Sequence, residues 1–193
     1  MATPAKREAW LADMTDQLRP HFADQGYTIP DNVRVSCGFP SKSALSRKAR
    51  RIGECWSDTC SGDETFEIFI SPTINDSMDV AGTLAHELIH ATVGLACGHK
   101  GPFRKCALAI GLEGKMTATT ESEAFKRDVQ PMIDTLGDYP HATLTASNAA
   151  KKQSTRLIKC QCLDCGYTVR TTRKYLEFGT PICPVDMTDM EEC

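Results

Sequence analysis

The chain has 193 residues, enough for one real core and a small appendage. A formal charge of −3 gives no global signal for nucleic acid, and no run of about 18 apolar residues exists to span a membrane. Met1 to Arg7 lead into a mixed polar helix and not into an apolar signal segment. The ten cysteines are therefore expected to stay reduced in a cytoplasmic compartment, as metal ligands or small buried hydrophobes.

In chain order, Trp10, Leu11, Met14, Leu18 and Phe22 recur at helical spacing and predict an amphipathic helix over about 5–24. Pro30-Asp31-Asn32 turns the chain into a short strand, Val33 to Cys37. Further strands are expected at Ile52 to Trp56 and at Phe66 to Ile70, the latter with the clearest strand composition. The next helix, carrying Val80, Leu84, Leu88, Ala91 and Leu95 on one stripe, starts at Asp76 or Ser77 and ends near Ala96. Helices are then expected near 102–111 and about 121–136. The second has Thr120 to Glu123 as a capping box, and Pro131 as a potential kink. The order makes an α+β arrangement. Residues 1–137 form the main domain, the Gly/Ala/Ser/Asn/Lys-rich stretch 138–156 is a linker, and 157–193 form a small second domain.

The chemistry concentrates in His86-Glu87-Leu88-Ile89-His90. Residues four apart lie one above the other on a helix, so the two imidazoles share a face, roughly 140° from the apolar stripe. Two imidazoles and an adjacent glutamate are what a hydrolytic zinc requires. The metal lowers the pKa of a bound water toward neutrality, and Glu87 takes its proton as general base. His99 lies nine residues beyond His90, with Gly94 and Gly98 between them to turn the chain back, and is the candidate third ligand. Glu113, Glu121 and Glu123 are the alternatives. The spacing is not that of metzincins, because Val93 and Ala96 stand where that pattern has glycine and histidine.

A second metal site is expected after the linker. Cys162 and Cys165 form a CxxC knuckle followed by Gly166, a strand and a distant Cys183-Pro184, the pattern of a zinc ribbon. Zinc there substitutes for a core that some 35 residues can hardly build. The fourth ligand is Asp186, Cys160 or Cys193. Cys37, Cys55, Cys60, Cys97 and Cys106 are scattered, and core packing is their expected role. Basic residues gather at Lys42, Arg47, Lys48, Arg50 and Arg51, and again at Lys151, Lys152, Arg156, Lys159, Arg170, Arg173 and Lys174. With Tyr167 and Tyr175 they suggest contact with single- or double-stranded DNA.

These pieces together resemble the SprT-like family of zinc metalloproteases, which includes the DNA–protein crosslink protease Spartan. They are most similar in order to the SprT-like proteins encoded by bacteriophages. The likeness rests on Glu67 to Ser71, His86 to His90, Gly98 to Phe103 and the cysteine ribbon. It extends to Ile52 to Trp56, Leu112 to Thr119 and Tyr139 to Ala142. The resemblance implies a zincin-like metalloprotease domain with a small antiparallel or mixed sheet. It makes His86, His90 and His99 ligands of a catalytic zinc and Glu87 its base, with a second, structural zinc in the ribbon. DNA-bound proteins are the implied substrates, in the host cytoplasm if the chain is viral. Asp186 departs from the ribbon of many relatives, which place a sulfur or imidazole there. Two further expectations concern substrate. The strand at 66–70 lines the cleft and takes up an extended peptide, and Tyr139 and His141 are candidate oxyanion stabilisers. The competing expectation is a non-enzymatic zinc-ribbon protein that binds nucleic acid or transcription machinery.

Overall fold

The computed structural model describes residues 6–46, 48–145 and 157–193. Arg47, the basic residues Lys151, Lys152 and Arg156, and the 146–156 part of the expected linker lie outside the described residues. The chain divides into two units, Met1–Asn148 and Ala149–Cys193. Their content is α+β, with short helices and small sheets. Among the described residues no helix is long and apolar enough to cross a membrane.

The first unit opens with α1 (Arg7–Asp24), whose Trp10, Leu11, Met14, Leu18 and Phe22 are all buried, as their spacing requires. Strands β1 (Val33–Cys37), β2 (Gly53–Trp56) and β3 (Phe66–Ile70) make a sheet in the order β1-β3-β2. β1 runs parallel to β3 and β2 antiparallel to it, so the sheet is mixed and β3 is its centre. Helix α2 (Ser77–Val93) follows, capped by Asp76, whose carboxylate accepts from the Met78 and Asp79 N–H groups at 2.9 and 3.0 Å.

α2 is the hub of the unit. It packs against α1, β2 and β3 and against the elements after it: α3 (Gly101–Ala109), β5 (Ala118–Glu121) and α4 (Glu123–Leu136). Burial therefore extends beyond one stripe, to Ala81, Ala85 and Ile89 as well as Val80, Leu84 and Leu88. Strand β4 (Leu112–Lys115) pairs with β5 in an antiparallel hairpin that the sequence reading did not contain. That hairpin takes up Thr120 and Glu121. α4 consequently starts later than expected, on a Ser122 cap that accepts from the Phe125 N–H at 3.2 Å. Packing of this unit runs past Leu136. Tyr139 is buried edge-on to Trp10 with ring centroids 5.1 Å apart, and the Trp10 indole N–H donates to the Gly137 carbonyl at 2.8 Å.

The second unit has β6 (Ile158–Gln161), β7 (Thr168–Thr171), the single turn α5 (Arg173–Leu176) and β8 (Glu191–Glu192), with strand order β7-β6-β8. Its buried residues are Cys160, Cys162, Cys183 and Met190, with Ile158, Val169 and Leu176 packed around them. So small a core supplies little apolar burial to hold the unit.

Candidate functional site

The three histidines are delivered by one helix and one turn. α2 carries His86 and His90 on a single face. It stops at Val93, short of the expected Ala96, because Gly94 adopts φ 85° and returns its N–H to the His90 carbonyl. Leu95–Cys97 form a 3-10 turn, so Leu95 leaves the core stripe and lines the cleft. The Cys97 thiol donates to the Gly94 carbonyl at 3.1 Å and steadies this turn. Gly98, at φ 53° and ψ −130°, then swings His99 back over the helix.

The result is a convergence of Nε2 atoms. His99 Nε2 lies 3.2 Å from His86 Nε2 and 3.2 Å from His90 Nε2. Tetrahedral zinc with Zn–N bonds near 2.1 Å sets its ligand nitrogens roughly 3.4 Å apart, so the donor set fits such an ion. His86 is oriented from behind by Thr119 on β5, 2.9 Å from its Nδ1. With the Nδ1 proton assigned to that contact, Nε2 presents its lone pair to the centre. His90 Nδ1 is buried with no partner among the described residues. The fully buried Phe103 of α3 stands against all three rings, at 4.9, 4.6 and 4.8 Å from His86, His90 and His99.

Burial sets the protonation of this cluster. It depresses His86 to about 3, helped by the nearby His90 and His99, and His90 to about 4, helped by His99 and Arg51. His99 is lowered by burial and by Arg51. All three imidazoles are therefore neutral near pH 7, the state that ligates a metal. Glu87 is 7% exposed, and burial pushes its carboxyl up to about 8, against the pull of Arg51 and the Cys55 N–H. Neither Glu113 nor Glu123 lines this cleft. Glu121 does, but its carboxylate packs over Gly82 and is not one of the convergent ligand atoms.

A cleft of about 710 Å³ holds His86, Glu87, His90 and His99. One wall is the β5 end of the hairpin and the other is β2. The expected edge strand was 66–70, but β3 is paired on both sides and has no free edge. β2 is the edge. The Ser71 N–H donates to the Ile52 carbonyl at 2.8 Å, which fixes the alternation: residues 52, 54 and 56 bond to β3, and the peptide groups of Gly53 and Cys55 face outward. Gly53 sits so close to α2 that a Cβ there would lie 2.5 Å from Glu87 Oε1 and 2.8 Å from Thr83 Cγ2. A glycine inside a strand signals close approach, and this was the signal available in the sequence. Thr119 and Phe103 lie in stretches that carry the family likeness, but nothing in the sequence pointed to their place against the imidazoles.

Tyr139 and His141 do not line this cleft. Tyr139 is held in the core beside Trp10, and His141 lies between Arg7 Nη1 at 3.2 Å and the Pro72 carbonyl at 2.9 Å. Of the scattered cysteines, Cys106 is buried, Cys60 is exposed and Cys37, Cys55 and Cys97 are intermediate.

In the second unit Cys162, Cys165, Cys183 and Asp186 bring one ligand atom each to within 4.8 Å of one another, a group that could hold a metal ion. Cys162 Sγ is 3.3 Å from Asp186 Oδ2, Cys183 Sγ is 3.6 Å from it, and Cys165 Sγ is 3.5 Å from Cys183 Sγ. Hydrogen bonds from the Cys165 and Cys162 thiols hold the Asp186 carboxyl below its ordinary range. Cys160 is buried on β6 and Cys193 is exposed beside the Glu191 carbonyl; neither joins the group. Compared with family models, curated proteins and solved structures, the chain matches none.

Proposed function

We propose that the first unit is a zincin-like, zinc-dependent endopeptidase and that the second is a zinc ribbon whose metal is structural. The observation that carries this reading is the meeting of three neutral imidazole Nε2 atoms with a buried glutamate in one cleft, beneath a free strand edge. His86, His90 and His99 would hold the catalytic ion, and Cys162, Cys165, Cys183 and Asp186 the structural one. Zinc bound at the three histidines supplies a Lewis acid that polarises a carbonyl and acidifies water.

The residues of the chain do the rest. Gly53 presents its outward-facing peptide group along β2 and Cys55 its carbonyl, the Cys55 N–H being directed at Glu87, and an extended substrate adds there as a further strand. Glu87 takes a proton from the attacking water and returns it to the departing amine nitrogen as the C–N bond breaks. Its burial beside the imidazoles, in the same cleft, places it within reach of both transfers. Thr119 and Phe103 keep the imidazoles in register. A purely structural metal site has no use for a carboxylate buried beside its ligands, and this favours catalysis. The resemblance to SprT-like proteases directs the substrate toward proteins bound to DNA.

The test is proteolysis of a DNA-binding protein, with and without single-stranded DNA, by the zinc-loaded wild type and Glu87→Gln in parallel. Cleavage by the wild type alone, stimulated by DNA, supports the reading. Equal activity from Glu87→Gln removes the mechanism, and absence of wild-type cleavage removes the function.

One feature favours a second reading, in which the ribbon is a nucleic-acid-binding module. Tyr167, Tyr175 and Phe178 are 43%, 63% and 84% exposed on a unit that also exposes Arg170 and Lys174. Exposed rings with basic neighbours stack on unpaired bases. Oligonucleotide binding that weakens with salt and is lost in Cys162→Ser supports it; no binding at low salt refutes it.

A further inference from the structure

We propose that Arg51 is the electrophile of this cleft, its guanidinium donating to the carbonyl oxygen of the peptide under attack and holding the negative charge that develops there. The inference rests on the peptidase reading above and assigns the oxyanion-stabilising group, which that reading leaves open.

Position is the first argument. Arg51 lies two residues before Gly53, on the stretch that leads into the free edge of β2, and lines the same cleft as the three histidines and Glu87. Its charge is felt at Glu87, His90 and His99 alike. A peptide laid along β2 with its scissile carbonyl over the imidazoles would lie in the cleft that this side chain also lines. The only cationic side chains among the described residues of the cleft are Arg50 and Arg51, and the Tyr139 and His141 side chains are elsewhere.

The second argument is preorganisation. Arg51 Nη1 donates to Glu54 Oε1 at 2.6 Å, and Glu54 is itself fixed from several directions. The Ser41 hydroxyl donates to Glu54 Oε1 at 2.8 Å, the Ser41 N–H to Oε2 at 2.7 Å and the Trp56 indole N–H to Oε2 at 3.1 Å. The carboxylate is 9% exposed, whereas the arginine side chain is 48% exposed. Arg51 is thus tied at one nitrogen to a rigid anchor. Its Nε and Nη2 make no hydrogen bond among the described residues, which leaves donors free for a ligand. Among the described residues Arg50 has no such anchor.

The third argument is chemical. As the water oxygen bonds to the carbonyl carbon, the π electron pair moves onto the carbonyl oxygen. The C–N bond then breaks, the pair returns and the amine nitrogen takes the proton that Glu87 received. A donor facing that oxygen holds the developing charge most strongly when it is cationic and does not surrender its proton. A guanidinium satisfies both conditions and offers its donors in a fixed plane.

The experiment uses the full zinc-loaded chain and two probes: a cleavable peptide, and a phosphinic peptide whose tetrahedral anion mimics the attacked carbonyl. Arg51→Ala is expected to lower kcat by about 10²–10³ with KM changed less than about threefold. Zinc content should stay at the wild-type value, and the variant's affinity for the phosphinic peptide, measured by calorimetry, should fall in parallel. Arg51→Lys, which keeps the charge but loses the planar fork, should recover part of both and serves if the alanine variant does not fold. Phosphinic-peptide affinity within threefold of wild type in both variants overturns the proposal, as does a wild type that does not bind that probe. A wild type that cleaves nothing yet binds the phosphinic peptide in an Arg51-dependent way refutes the peptidase reading and leaves the anion site standing.

Discussion

Gly53→Ala tests whether the cleft is built as described. The backbone of Gly53 lies outside the left-handed region, so alanine is sterically tolerated by the chain itself, and the cost must come from what the methyl meets. That methyl would lie 2.5 Å from Glu87 Oε1, 2.8 Å from Thr83 Cγ2 and 2.9 Å from Glu87 Cγ. The carboxylate must therefore retreat by about 0.9 Å to reach ordinary contact. Overpacking of this kind costs about 1–3 kcal/mol, and replacing glycine in a strand returns about 0.5–1 kcal/mol. The expected net loss is about 0–2.5 kcal/mol, with Tm moving by roughly 2–4 °C per kcal/mol for a domain of this size. The effect on rate is larger, because displacing a reacting group by about 1 Å costs on the order of 10²-fold. Peptide cleavage by the zinc-loaded chain and a thermal melt are the two assays. Gly62→Ala is the control, since nothing lies within 4 Å of a Cβ there. A Gly53→Ala protein that melts and cleaves like the Gly62→Ala control would refute the placement of Glu87 beneath β2.

Four further outcomes are expected. Phe103→Ala removes the ring against which all three imidazoles rest and should cost about 3–5 kcal/mol in stability together with metal affinity; unchanged zinc retention in a folded variant would deny the ring its orienting role. In the metal-free chain, His86 and His90, depressed from 6.5 to about 3 and 4, make the unfolded state the stronger proton binder below pH 6.5, while Glu87, raised from 4.5 to about 8, makes the folded state the stronger binder between 4.5 and 8. Two imidazoles outweigh one carboxylate, so stability by urea unfolding should rise to a maximum near pH 6.5 and fall toward 8. Glu87→Gln should abolish that alkaline fall, and its persistence in the variant would exclude Glu87 as the source. Asp186→Ala should weaken cobalt binding by the second unit, whereas Cys160→Ser and Cys193→Ser should leave its thiolate-to-cobalt absorption intact; loss of that absorption in either serine variant would reassign the fourth ligand. Chelation should open the second unit to protease while the first, with its own large apolar core, resists; equal resistance of both would show that the ribbon does not depend on metal.

What was legible in the sequence was what is local in it. The spacing of His86 and His90 implies a shared helical face, and Gly94 and Gly98 imply the turn that returns His99. The knuckle Cys162 to Gly166 with Cys183 implies a ribbon-like group. β1 and β3 stand where composition placed them. The β4–β5 hairpin escaped notice because Leu112-Glu113-Gly114-Lys115 has neither apolar alternation nor β-branched residues, and the Met116-Thr117 turn lacks the glycine or asparagine of the favoured two-residue loops. Strand order escaped for a different reason: composition marks β3 as the best strand, and the best strand is the one buried between two others. Tyr139 was drawn toward the cleft by residue type alone, whereas Trp10 and Gly137 hold that segment in the core.

The two metal-ligand groups are consequently exposed to substitution in opposite ways. In the second unit all four candidate ligands lie within residues 162–186, and its small core holds two of them, Cys162 and Cys183, with Cys160 and Met190. In the first unit the histidines span only residues 86–99, yet what shapes them is distant in sequence. Gly53 and Arg51 come from the approach to the edge strand, Thr119 from the hairpin and Phe103 from the next helix. α2 is packed by elements from both ends of the unit, so the cluster is positioned by the whole core and not by its own loop. Geometry held in this manner stays fixed on the scale that the proposed proton transfer at Glu87 demands. The second unit, read as a zinc ribbon, meets a looser requirement, that of keeping one short stretch of chain folded.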